Sequence, residues 1–165
     1  MRWVYPVVAA LVVWFGPGTN AAMAGKALNE ALRAPCNRTT CTIRNNPGGE
    51  VELFQRAAAE VVHERKRLVI DGLCASACVI LADLARTNTC ITANAKLAVH
   101  KASVIRVVGA TQVGDREVPV GRLIARNDPP QSPDIDRWVY AHGGYPTKGL
   151  MVIPVKDAKT FWAMC

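Results

Sequence analysis

Ser76, His100 and the pair Gly48-Gly49 are the residues whose types and order could do covalent chemistry in this chain. A serine hydroxyl is a poor nucleophile until a base takes its proton, and a helix N-terminus helps by stabilising the anion that forms. Histidine can act as that base. Glycines between a strand and a helix present backbone N–H groups where the local field favours negative charge. A glycine turn, a serine at a helix start and a histidine at a strand end together make a site for acyl transfer. Each part also has a plainer reading. Ser76 is a good helix N-cap, although Val79 three residues on rules out a capping box. Gly48-Gly49 alone is an ordinary tight turn, and a lone histidine after an apolar stretch is commonly structural. The three in order favour the site.

The surrounding pattern supplies elements to carry them. Lys26 to Arg33 reads as a weak helix broken at Ala34-Pro35, and Thr40 to Arg44 as a short strand entering the turn Asn45-Asn46-Pro47-Gly48-Gly49. Glu50 to Arg65 has apolar residues near helical spacing. Leu68-Val69-Ile70 is the continuous apolar run of a strand buried on both faces. Gly72 to Ala75 is predicted to turn the chain into a helix over Ser76 to Arg86, and a third strand runs from Cys90 to His100. Strands and helices alternating at this length predict an α/β fold with a mainly parallel sheet, and in such sheets the strand ends commonly hold the chemistry. Beyond His100 the pattern turns extended over Val104 to Val108 and Val113 to Ile124. A short helix over Pro133 to His142 follows, then a final strand and helical turn between Met151 and Cys165.

Residues 1–24 carry Arg2, an apolar run from Trp3 to Phe15 and the small-residue triplet Ala22-Met23-Ala24, the order of a cleavable secretory signal peptide. The run is short for a membrane anchor, which needs roughly 20 apolar residues. Residues 25–165 are then a single domain, periplasmic or secreted. All six cysteines fall in it, so disulfides are expected. Cys36 with Cys41 would staple a short loop, and Cys74 or Cys78 with Cys90 would tie the helix to the next strand. A zinc site is the weaker reading, because no C-x-x-C pair faces a second one. The net charge of +7 includes Arg2, and the remaining cations have no interleaved aromatic residues to stack bases. No nucleic-acid partner is expected, and anionic envelope surfaces suit the charge better.

The stretches "NNPGGEVELF", "VIDGLCASACVILADLAR" and "CITANAKLAVHKA" resemble the Clp protease proteolytic subunit and, more distantly, the crotonase superfamily. The resemblance covers Thr40 to about Lys101 and is looser beyond. It implies repeated β-β-α units with an abbreviated N-terminus. It also implies Ser76 as nucleophile, His100 as base and the Gly49 and Ala77 amides as the oxyanion hole. A loose alignment through Gly143-Gly144 brings Asp157 to the place of the third catalytic residue, with Asp134 and Asp136 on the preceding helix as other carboxylates. The extended Val104–Ile124 stretch stands where the family has the helix of its ring-forming handle.

The function expected from these readings is an exported, ATP-independent serine peptidase-like hydrolase. It would act on a peptide or protein substrate, with no cofactor, no metal and no ATPase partner. The alternative is a catalytically inactive, disulfide-braced envelope binding protein on the same fold. A crotonase-type thioester enzyme is disfavoured because export removes the chain from cytosolic coenzyme A. Open sheet edges in so short a chain also leave a homo-oligomer in view. Held by Cys74 and Cys78 as disulfide partners, the serine turn would be rigid.

Overall fold

Leu68-Val69-Ile70 forms the buried start of the strand around which the domain is built. The computed structural model describes residues 26–33 and 36–165, so the predicted signal segment lies outside the described residues. Its elements are α1 (Lys26–Leu32), β1 (Thr40–Asn46), α2 (Val51–His63), β2 (Arg67–Ala75), α3 (Ala77–Leu84), β3 (Thr89–Ile91), β4 (Lys96–Val99), β5 (Ala102–Val113), β6 (Arg116–Asn127), α4 (Pro133–Ala141), β7 (Met151–Ile153), α5 (Val155–Ala158) and β8 (Ala163–Met164). The fold is mixed α/β.

β1 pairs in parallel along most of β2, from Thr40 opposite Arg67 to Asn46 opposite Cys74. The other edge of β2 is shared. β3 takes its first half, with Leu68 opposite Thr89, and β4 its second, with Ala75 opposite Ala98. The single strand predicted from Cys90 to His100 is therefore two, because the Thr92–Ala95 link lets the chain leave β2 and rejoin it in parallel. β8 extends the sheet beyond β3 in parallel, while β7 is antiparallel to β4.

The expected turn at Gly72 is also corrected: β2 runs through it to Ala75. A β-carbon at Gly72 would run into the Arg44 carbonyl, beside the register shift between Ile43 and Asn45. The glycine marks a close strand approach rather than a chain reversal.

α3 is buried on nearly every side, from Ala77 to Asp83, which fits its almost wholly apolar sequence. α2 packs Phe54, Ala57, Ala58 and Val61 into the same core, with Leu68, Ile70 and Leu97 from the sheet and Trp162 from the C-terminal segment. The Trp162 indole donates to the Ala82 carbonyl at 3.0 Å, fixing that segment beside the C-terminal half of α3. Asp83, in the same turn, accepts from the Ser132 amide at 2.7 Å and from Arg86, which also bonds Asp134. These bonds clasp the start of α4 to the end of α3.

Three disulfides brace the domain: Cys36–Cys41, Cys74–Cys78 and Cys90–Cys165. The short staple is as expected. The tie from the serine helix to Cys90 is not formed, since Cys74 pairs with its own neighbour in the turn and Cys90 takes the chain end. Disulfides of this density point to an oxidising, non-cytoplasmic compartment. Among the described residues no helix is long and apolar enough to cross a membrane.

Candidate active site

Ser76 joins the end of β2 to the start of α3 with φ 57° and ψ −126°. A non-glycine residue with such a backbone carries strain of about 1–3 kcal/mol and persists only where its surroundings hold it. Its amide donates to the Ala98 carbonyl at 2.8 Å, its carbonyl accepts from Val79, and the Cys74–Cys78 disulfide closes the turn around it. The side chain makes no capping bond to α3. Ser76 occupies the N-cap position without doing an N-cap's work.

The Pro-Gly-Gly turn packs onto this serine. Gly48 has φ +87°, and a β-carbon there would lie 2.5 Å from the Ala75 oxygen, 2.7 Å from the Ser76 Cβ and 2.9 Å from the Ala77 nitrogen. Only glycine permits both the conformation and the approach. The turn is set by Asn46, which is buried and bonds in two directions. Its Oδ1 accepts from the Gly48 amide and its Nδ2 donates to the Ala31 carbonyl, both at 2.9 Å. The first bond is an asparagine turn that copies a backbone turn. Reading the sequence left Asn46 without a role. Its signal was an asparagine immediately before Pro-Gly-Gly.

The next amide in that turn is Gly49, and the first in α3 is Ala77. Neither donates to a hydrogen-bond acceptor among the described residues, as expected for the first amide of a helix. Two free N–H groups therefore border the serine. Such a pair can stabilise an oxygen that gains negative charge.

His100 directly follows β4. The register that pairs Ala75 with Ala98 brings the end of β4 alongside the serine turn, with His100 two residues past the carbonyl that holds Ser76. The imidazole is half-buried and forms no hydrogen bond with Ser76 or with a carboxylate among the described residues. Just beyond it, the Lys101 amide donates to Pro146 at 3.0 Å, and the Lys101 ammonium lies 3.6 Å from Asp128. These contacts open a recess of about 420 Å³ lined by Lys101, Asp128, Tyr140, Gly143, Gly144 and Tyr145. Tyr145 donates to Asp136 at 2.5 Å, and burial, followed by that bond, raises its phenol above the usual range.

Asp157 is not brought to the site. β7 runs antiparallel to β4, with Met151 opposite Val99 and Ile153 opposite Leu97, so the chain leaves for α5 at the end of β4 away from His100. There Asp157 sits on the short helix leading to Trp162 and the far half of α3. Asp134 is not available either. It is bound to Arg86 at 2.5 Å, and that bond, reinforced by Ser132 and the Ile135 amide, holds its carboxyl well below the usual carboxylate range. Asp136 is taken by Tyr145.

What fold and site define together is a disulfide-braced α/β domain with a strained serine at a strand-to-helix turn and two free amides beside it. Comparison with known protein families, with curated proteins and with solved structures finds no match to this chain.

Proposed function

We propose that this protein is an exported serine hydrolase of the peptidase type on a Clp- or crotonase-like fold, acting without ATP or a cofactor. One observation carries the reading: Ser76 is held in a strained conformation at the head of α3, and its hydroxyl makes no hydrogen bond among the described residues. A residue kept for capping would use its oxygen on the helix. A nucleophile must instead present it, and a strained strand-to-helix turn is how one is presented at the end of a sheet.

In this reading Ser76 Oγ attacks a peptide carbonyl while His100 takes its proton. The amides of Gly49 and Ala77 hold the tetrahedral oxyanion, and His100 returns the proton to the leaving amine. Water then releases the acyl group by the same route in reverse. Catalytic hydrogen bonds are commonly long before substrate binds, so the open Ser76–His100 pair is compatible with a dyad that closes on its substrate. The exposed Gly49 beside the serine turn, and the recess that opens at Lys101 next to His100, leave room for a peptide.

A second reading rests on the absence of any carboxylate on His100 among the described residues. Nothing there orients the imidazole, which favours a non-catalytic envelope protein that keeps the fold for binding. A fluorophosphonate probe separates the two. The hydrolase reading expects the oxidised wild type to be labelled, with labelling lost in Ser76→Ala and greatly slowed in His100→Ala. An unlabelled, correctly oxidised wild type leaves the binding protein.

A further inference from the structure

β5 and β6 form a hairpin of two 12-residue strands that stands off the domain, about 40 Å long at the usual rise per residue. Among the described residues it pairs with no other strand. From Ile105 outward every residue is exposed, large aliphatics included: Ile105 is 61% and Val107 65% accessible. A lone two-stranded ribbon is marginal in water, and apolar exposure on this scale marks an interaction surface.

The ladder sorts the ribbon into two faces. Ala102 and Val104 are half-buried, so their face leans on the domain at its base. The other face carries Ser103 opposite Arg126, Ile105 opposite Leu123, Val107 opposite Gly121, Ala110 opposite Pro119 and Gln112 opposite Glu117. A β-carbon on Gly121 would strike the Ile105 side chain, which places those two on the same face. Along β6 this face reads basic at the base, apolar through the middle and acidic near the tip.

We infer that this face is a dimer interface between two copies of the chain, packed arm against arm in opposite directions. Its pattern is self-complementary about the Val107–Gly121 level. A two-fold axis lying across the strands there sets Arg126 of one copy over Glu117 of the other. The same operation sets Leu123 over Pro119, Ile105 over Ala110 and Ser103 over Gln112. Charge meets opposite charge, large side chain meets small, and polar meets polar, with the bare Gly121 where the two sheets cross. An isologous interface requires this self-matching, and a random face does not have it. Aligned packing of two twisted ribbons would also dry the apolar middle. A lipid surface is the poorer occupant, because the arm has no aromatic residue for a bilayer interface and at its tip Asp115 and Glu117 outnumber Arg116.

Sedimentation of the purified, oxidised protein over a concentration series tests the interface, with vesicles of anionic phospholipid as a separate arm. The wild type dimerises. Glu117→Arg and Arg126→Glu each weaken the dimer about tenfold or more, since each reversal acts twice across the axis. The double variant Glu117→Arg/Arg126→Glu restores it. Far-UV dichroism and a free-thiol count show that each variant is folded. A wild type that stays monomeric, a dimer indifferent to the single reversals, a double reversal that fails to rescue, or an arm that takes up vesicles in place of a second copy overturns the inference. Probe labelling at Ser76 is read separately, so the hydrolase can fail while the dimer stands.

Discussion

The α-carbon of Gly48 is packed so closely on Ser76 that a methyl group there would come within 2.7 Å of the serine Cβ. Two of the three atoms it would meet, the Ala75 oxygen and the Ala77 nitrogen, are backbone, and the third, the Ser76 Cβ, is fixed directly to the backbone, so none can swing aside. Gly48→Ala is therefore expected to cost about 2–3 kcal/mol through overpacking and its positive φ, and to push the Pro-Gly-Gly turn off the serine. Thermal unfolding measures the first effect and the probe-labelling rate the second. A variant as stable and as reactive as wild type would mean that the two turns are not packed together.

Replacing the serine tests the strain directly. Glycine tolerates φ 57° where alanine does not, and its extra freedom in the unfolded chain offsets only part of that advantage. Ser76→Gly should unfold with a free energy about 1 kcal/mol above Ser76→Ala. Neither variant should react with the probe. Equal stabilities, or alanine ahead, would show an unstrained turn.

The Cys74–Cys78 bond closes a loop of only a few residues around Ser76. By chain entropy such a short loop stabilises by about 2 kcal/mol, whereas Cys90–Cys165, spanning 75 residues, is worth about 4.5 kcal/mol. Replacing Cys74 and Cys78 by alanine should thus lower stability less than replacing Cys90 and Cys165. Labelling of Ser76 should respond in the opposite order, because only the first bond holds the strained turn. Denaturant titration beside labelling kinetics reads both effects.

Asp157 gives a test with a flat expected outcome. At the end of β4 away from His100, it makes no hydrogen bond or ion pair with the imidazole among the described residues. Labelling of Ser76 in Asp157→Ala should stay within about threefold of wild type, against the roughly 10⁴-fold loss when a true third residue is removed. A loss on that larger scale would put Asp157 back at the site.

The Arg86 clasp makes a pH prediction. The bond from Arg86 holds the Asp134 carboxyl below its unfolded value, so the carboxylate form belongs to the folded state. Its stabilisation is fully present above the unfolded value near pH 4 and is lost progressively as pH falls through the lower folded value. Asp134→Asn should be less stable than wild type at neutral pH, and the gap should close below about pH 4. Urea midpoints of the two proteins between neutral and strongly acid pH check the sign.

How much of this was legible in the chain follows the range of each interaction. Periodicity and turn chemistry are carried by residues close in sequence, so they marked the strand into Pro-Gly-Gly, the helix after it, the buried run at Leu68-Val69-Ile70 and Ser76 at a helix start. Cys36 and Cys41 were near enough to pair on sight. Local chemistry thus fixes an α/β order, an oxidisable set of cysteines and a serine between two glycines and a histidine. What that serine does with its oxygen depends on long-range packing, because a cap and a strained turn differ in backbone angles that neighbouring chain segments impose. It also split Cys90–His100 between the two halves of one β2 edge, turned Gly72 into a close strand contact and gave buried Asn46 its two bonds. Asp157 went to the wrong end of β4 because β7 is antiparallel, a choice made by partners far along the chain. The arm shows the same division. Its extended character could be read from Val104–Ile124, but which residues share a face depends on two bulges that only the paired ladder contains.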